Sequence, residues 1–141
     1  MDESERLLLD NQLCFPLYAA SKTVIQRYDP FLKPLGLTYT QYLVLLVLWE
    51  EDGIAVQRLG ERLKLDSGTL SPLLQKLSQK GLIRKDKGED ARFHYVYLTE
   101  RGHALKEQAK AIPESMASCL NLSLEESALL YSLCHKIMEG K

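Results

Sequence analysis

The chain has 141 residues, with 18 Lys+Arg against 19 Asp+Glu and a formal net charge of −1. A hydrophobic fraction of 45% with 26% charged residues belongs to a globular protein able to bury a core, and excludes wholesale disorder. The longest apolar run, from Tyr42 to Trp49, is far short of the ~20 residues a membrane helix needs. The start, MDESERLLLDNQ, lacks the basic head and cleavage site of a signal peptide, so a cytoplasmic protein is expected and no membrane partner.

Asp10 or Asn11 is placed to cap a first helix, whose apolar positions Leu13, Leu17, Ala20, Val24 and Ile25 recur at three and four. Pro16 predicts a kink or a late start, because proline past the first turn loses a hydrogen bond and clashes with the preceding turn. Asp29-Pro30 and Lys33-Pro34-Leu-Gly36 break the pattern. Thr38-Tyr-Thr-Gln41 reads as a capping box opening a helix over 39–51 that is apolar almost all round and therefore central to the core. Ile54-Ala-Val56 is long enough only for a bridging strand, and a short helix follows over 57–64.

The segment 69–80 puts Leu70, Leu73, Leu74 and Leu77 on one face; Thr69 or Ser71 is the expected cap, and Gly81 the stop. Residues 82–87 and 93–98 are strand-like runs flanking a charged tip, a β-hairpin. Thr99 caps a long helix weakened by Gly102 and interrupted at Pro113, and Ser123-Leu-Glu-Glu126 caps a last helix bearing Leu129, Leu130, Leu133 and Ile137. A short helix, a tight turn, an amphipathic second helix and a hairpin make a winged helix-turn-helix. The expected fold is mainly α with a small β wing. Three parts are expected: 1–36 as an N-terminal dimerisation helix that also carries Cys14, 37–99 as winged helix-turn-helix, and 100–141 as C-terminal dimerisation helices.

The small net charge conceals a partition. Residues 57–92 hold nine basic and five acidic residues, and the remainder nine and 14. A positive centre on an acidic frame is also found on ordinary solvated surfaces, but within a helix-turn-helix it suits docking on a phosphate backbone. Ser67, Thr69, Ser71 and Gln75 would then face base edges in a major groove of double-stranded DNA, with Lys76 and Arg58 on phosphates. Arg92 at the hairpin tip is placed for an adjacent minor groove, held in pose by Asp90; the plain alternative is a solvent-exposed ion pair. One such module binds DNA weakly, so a homodimer on a pseudo-palindromic site is expected, paired through the terminal helices.

Cys14, Cys119 and Cys134 form neither a CxxC pair nor a Cys/His set with zinc-ligand spacing, so no metal or cofactor is expected. As free thiols they are either small apolar filler or redox-active groups. Tyr18 shares a helical face with Cys14, and Tyr28 and Tyr39 can approach from a later turn or from a partner subunit. Phenol donors aimed at one sulfur favour the thiolate, the form that reacts with a peroxide.

A resemblance adds to this. The runs Asn11-Gln-Leu-Cys-Phe-Pro-Leu-Tyr-Ala-Ala-Ser21 and Gly36-Leu-Thr-Tyr-Thr-Gln-Tyr-Leu-Val-Leu-Leu-Val-Leu-Trp-Glu50 resemble the MarR family, and more narrowly its organic-hydroperoxide-sensing OhrR group. The likeness continues through Leu65-Asp-Ser-Gly-Thr-Leu-Ser-Pro-Leu-Leu74, Gly81-Leu-Ile83, Asp90-Ala-Arg92 and Leu98-Thr-Glu-Arg-Gly102, covering residues 10 to 115. It implies a dimeric repressor, with Cys14 as the peroxidatic cysteine and Tyr18, Tyr28 and Tyr39 as the tyrosines around it. Asp66, Ser67, Thr69 and Arg92 fall on its DNA-contacting positions. In its two-cysteine branch the second thiol lies in the other subunit after the long fifth helix, which places Cys119 in the resolving role, with an organic hydroperoxide as inducer. An alternative within the family is release by a small phenolic ligand, with Cys14 as packing. A thiol peroxidase is not expected, since no thioredoxin-like βαβ pattern is present.

Overall fold

The computed structural model describes residues 2–89 and 93–140. In chain order they form α1 (Glu3–Arg6), a 3₁₀ turn (Leu9–Asn11), α2 (Cys14–Leu32), a second 3₁₀ turn (Lys33–Leu35), α3 (Tyr39–Glu50) and β1 (Ile54–Ala55). There follow α4 (Val56–Leu63), α5 (Ser67–Gln79), β2 (Ile83–Lys87), β3 (His94–Leu98), α6 (Glu100–Ala109), α7 (Ile112–Cys119) and α8 (Leu124–Glu139). Contacts divide the chain into two compact units, 1–110 and 111–141. No single helix among the described residues is long and apolar enough to cross a bilayer.

The first helix departs from expectation at its start. Neither Asp10 nor Asn11 caps it: Leu13 is the N-cap and makes no side-chain cap bond. Pro16 falls in the first turn, where its missing N–H is one of those that has no acceptor in the helix, so the start is late. Asp29-Pro30 does not end the helix either. Pro30 sits in the last turn, where it removes one bond only, and Gly36 closes the segment with φ of 71°.

Most of the buried apolar residues lie in the first unit, and Ile112 and Met116 of the second are buried as well. α3 buries Tyr42, Val44, Leu45, Val47 and Leu48, which surround its axis as an all-round apolar helix requires. Its capping box is present in full: Thr38 Oγ1 accepts from Gln41 N–H, and Gln41 Oε1 accepts from Thr38 N–H. Leu59 from α4, Leu70, Leu74 and Leu77 from α5, and Ile83 and Val96 from the strands complete the centre.

The helix after the tight turn begins two residues earlier than predicted. Asp66, not Thr69 or Ser71, is the cap, its Oδ1 accepting from Thr69 N–H at 2.8 Å. Pro72 consequently lies in the second turn and has no N–H to offer the Gly68 carbonyl. At the other end Gly81, at φ of 75°, lets Leu82 N–H reach the Leu77 carbonyl and its own N–H reach that of Ser78, a Schellman closure.

The sheet runs β1-β3-β2, all antiparallel, with Ile54 opposite Val96 and Ile83 opposite Leu98. β2 and β3 form the predicted hairpin. Asp52 Oδ1 accepts from Leu98 N–H at 2.8 Å, fixing the base of the wing to the end of α3. Gly102 is more than a weak point in α6. A Cβ there would stand 2.2 Å from the Leu82 carbonyl oxygen, and its own carbonyl accepts from Trp49 Nε1 at 3.0 Å, so the two backbones meet where only glycine fits. The predicted interruption at Pro113 is real: α6 ends at Ala109, and Pro113 occupies the first turn of α7.

Candidate DNA interface and redox site

Capping by Asp66 and burial of the leucine stripe leave the other face of α5 outward. Ser67, Ser71 and Gln75, spaced by four, line one side of it; Thr69 and Lys76 flank them, and all five are exposed. Asp66 is exposed as well, with its carboxylate held by the cap. The wing presents Lys85 and Lys87 to solvent, while Arg84 lies 4.5 Å over the Tyr97 ring and pairs with Asp86. Asp90 and Arg92, assigned from sequence to the wing tip, lie outside the described residues.

The charge partition is softer than its count. Arg58 Nε donates to both carboxylate oxygens of Glu51, at 3.1 and 3.2 Å, and Arg62 bonds Glu50 at 3.0 Å. Two cations of the basic window are thus tied to acids of the frame, which the turn at Gly53 folds against α4. These pairs are solvent-exposed and worth little to stability, but they set where positive potential is available. A cavity of about 820 Å³ opens between α4, the turn before α5 and the wing, lined by Val56, Leu65, Leu70, Lys85 and Phe93 among others.

Cys14 is the first residue of α2 and is exposed. Because Leu13 supplies no side-chain acceptor, the first-turn amides of α2 are uncapped beside the sulfur. Tyr18 is one turn on, exposed, with Lys22 Nζ 5.2 Å over its ring. Tyr28 is on the same face but 14 positions along, which at the α-helical rise is about 21 Å away. It therefore cannot reach Cys14 of its own chain. Tyr28 instead joins Tyr39, with centroids 4.7 Å apart, and Tyr42 at 5.7 Å. The structure gathers Tyr28 and Tyr39 and adds Tyr42, which sequence reasoning missed; its spacing of three from Tyr39 on one helix was the available signal.

The three phenols hold their protons. Burial, with Tyr39 and Tyr42 adding to it, pushes Tyr28 up to about 12; burial raises Tyr39, and burial with Tyr39 raises Tyr42. They are hydrogen-bond donors throughout the neutral and mildly alkaline range. The linkage has a definite sign. An unfolded tyrosine ionises near 10 while folded Tyr28 stays protonated to about 12, so its stabilising contribution is full below pH 10 and is lost between 10 and 12. Thermal melts from pH 8.5 to 12 should show Tyr28→Phe losing less stability across that window than the unsubstituted protein.

Cys119 ends α7 and is exposed, and Cys134 is half-buried on α8. Large apolar side chains stand in solvent on the terminal helices. Leu13 is 90% exposed, and Leu129, Leu133 and Ile137, one stripe of α8, are 60%, 48% and 64% exposed. No residue of α8 is buried.

A helix-turn-helix with an outward polar face and a flanking basic hairpin defines a winged-helix, DNA-binding unit. Residues 26–109 match the family described as transcriptional regulator SarA/Rot, and the chain belongs to that family of MarR-like winged-helix regulators. It is 44% identical over 136 residues to the organic hydroperoxide resistance transcriptional regulator of Bacillus subtilis (strain 168), covering 96% of this chain and 92% of the relative. Among solved structures, reduced AbfR bound to DNA is similar at a TM-score of 0.78 and 35% identity, over 98% of this chain and 97% of that one. Disulfide-formed AbfR is similar at 0.65 and 38%, over 96% of each chain.

Proposed function

We propose that the protein is a dimeric cytoplasmic repressor that releases its operator when an organic hydroperoxide oxidises Cys14. The observation that carries this reading is the placement of Cys14: exposed, at the uncapped start of α2, on the face that also bears Tyr18 and Tyr28. Two copies of α2 paired antiparallel across a two-fold axis bring Cys14 of one chain beside the tyrosine cluster of the other, a contact the single helix forbids. The uncapped amides and protonated phenols then act together as donors to a thiolate.

The thiolate attacks the outer oxygen of the hydroperoxide. An S–O bond forms, the O–O bond breaks, and the alkoxide takes a proton and leaves as the alcohol, the sulfur having given up two electrons. The sulfenic acid condenses with Cys119 of the second subunit: an S–S bond forms, the S–O bond breaks, and water leaves. Bridging requires the two Cα atoms within ~7 Å, and the helices carry that displacement to the reading heads. The relatives support this reading, one named for organic hydroperoxide resistance and the other solved in both DNA-bound and disulfide forms.

On DNA, Ser67, Thr69, Ser71 and Gln75 read base edges, Asp66 positions Thr69 through the cap, and Lys76 with the outer nitrogens of Arg58 meets phosphates. Arg92 enters the minor groove with Asp90 orienting it. The domain division proposed is 1–36, 37–99 and 100–141. After limited cumene hydroperoxide, non-reducing electrophoresis and intact mass should show a covalent dimer for the unsubstituted chain and none for Cys119→Ser. A covalent dimer persisting in Cys119→Ser removes Cys119 from the resolving role.

A further inference from the structure

One side chain links the end of α5 to the segments that carry the tyrosine cluster. Lys80 caps the C-terminus of α5, and its ammonium donates to the Gly36 carbonyl at 2.6 Å and to Gln41 Oε1 at 2.7 Å. Those acceptors are particular. Gly36 closes the segment that carries Tyr28, and Gln41, 3% exposed, is the buried polar side chain of the described core. Gln41 Oε1 is shared: it also accepts from Thr38 N–H, holding the first turn of α3 on which Tyr39 stands. Lys80 is fastened at its other end too, its carbonyl accepting from Arg101 Nη1 at 2.9 Å.

We propose that Lys80 and Gln41 are positioning residues that couple the tyrosine cluster to α5, so that displacement of Tyr28 or Tyr39 alters DNA affinity through them. This rests on the redox reading above. The physical basis is the sharing of one oxygen. A shift of the first turn of α3 that accompanies repacking of Tyr39 against Tyr28 moves Gln41, and the Lys80 bonds, charge-assisted and short, do not stretch to follow it. Either α5 moves with α3 or the ammonium lets go; both change the pose of α5 relative to the rest of the winged unit. A lysine in solvent ordinarily keeps its rotamer freedom, so two bonds from one ammonium to fixed acceptors mark a defined pose.

The test is the ratio of dissociation constants, oxidised over reduced, for a duplex selected from a random library. It is measured on the full chain before and after cumene hydroperoxide, with Cys14 oxidation scored by intact mass. In Lys80→Met the ratio should shrink at least about fivefold while Cys14 oxidises as before, and Lys80→Arg, which reaches the same acceptors, should restore most of it. Gln41→Met should act in the same direction as Lys80→Met, and Trp49 emission checks that each variant is folded. A merely structural link would weaken both redox forms equally and leave the ratio unchanged, which overturns the proposal. A wild-type ratio of one defeats the redox reading itself and this coupling with it; a large wild-type ratio that Lys80→Met retains defeats the coupling alone.

Discussion

Cys14→Ser should bind its selected duplex as tightly as the unsubstituted protein and should keep it in the presence of an organic hydroperoxide. The hydroxyl replaces the sulfur at the first position of α2 with little change in volume, so helix, tyrosine cluster and α5 are preserved. Only the atom able to give up two electrons is gone. Fluorescence anisotropy with cumene hydroperoxide should show the wild-type dissociation constant rising at least about tenfold, within the range of allosteric couplings, and that of Cys14→Ser changing less than about twofold. If peroxide still strips the serine variant from DNA, Cys14 is not the sensor. The contrasting reading, release by a small phenolic ligand, predicts that wild type and Cys14→Ser respond alike to salicylate and that neither responds to peroxide.

The second large effect concerns the terminal helices. Leu129→Glu with Leu133→Glu should convert the protein to a monomer and lower DNA affinity at least about 100-fold, because two half-sites no longer gain from being linked. The reason is the apolar stripe of α8. Leu129 and Leu133 are 60% and 48% exposed, so covering what remains on association contributes about 1–2 kcal/mol each, whereas a carboxylate there would have to shed its water. Since neither residue is buried within the chain, the fold of the winged unit should survive. Analytical ultracentrifugation with the circular dichroism melt separates the outcomes: a folded monomer is expected, and a folded dimer removes α8 from the association surface.

Much of the architecture was legible before any coordinates. The capping boxes of Thr38 with Gln41 and Ser123 with Glu126 were read correctly, because each is closed within four residues, whereas the caps expected at Asp10 or Asn11 and at Thr69 or Ser71 were not those used. The hairpin, the glycine stop at Gly81 and the leucine stripe of α5 are local in the same sense, and so is the shared face of Cys14 and Tyr18. Two local rules competed at the start of α5. Asp66 and Thr69 are both good caps, and the earlier one prevailed because starting there adds a turn of helix at the price of only one bond, at Pro72.

What the tertiary structure alone decided are the relations between distant segments. That Tyr28 is too far from Cys14 of its own chain follows from α2 running unbroken from Cys14 through Pro16 to Tyr28. Tyr28 of α2 packs against Tyr39 and Tyr42 of α3, Arg58 and Arg62 pair with Glu50 and Glu51, and Gly102 meets the Leu82 backbone, through contacts that no periodicity encodes. Lys80 is the plainest case. In sequence it is one cation in a basic window; in the fold its ammonium lies on Gly36 and Gln41, 44 and 39 positions away. Sequence patterns report which face of an element is apolar and where its ends fall, since those depend on residues a few positions apart. Which polar group meets which across the interior depends on how the elements pack, and that is settled only when the whole core closes.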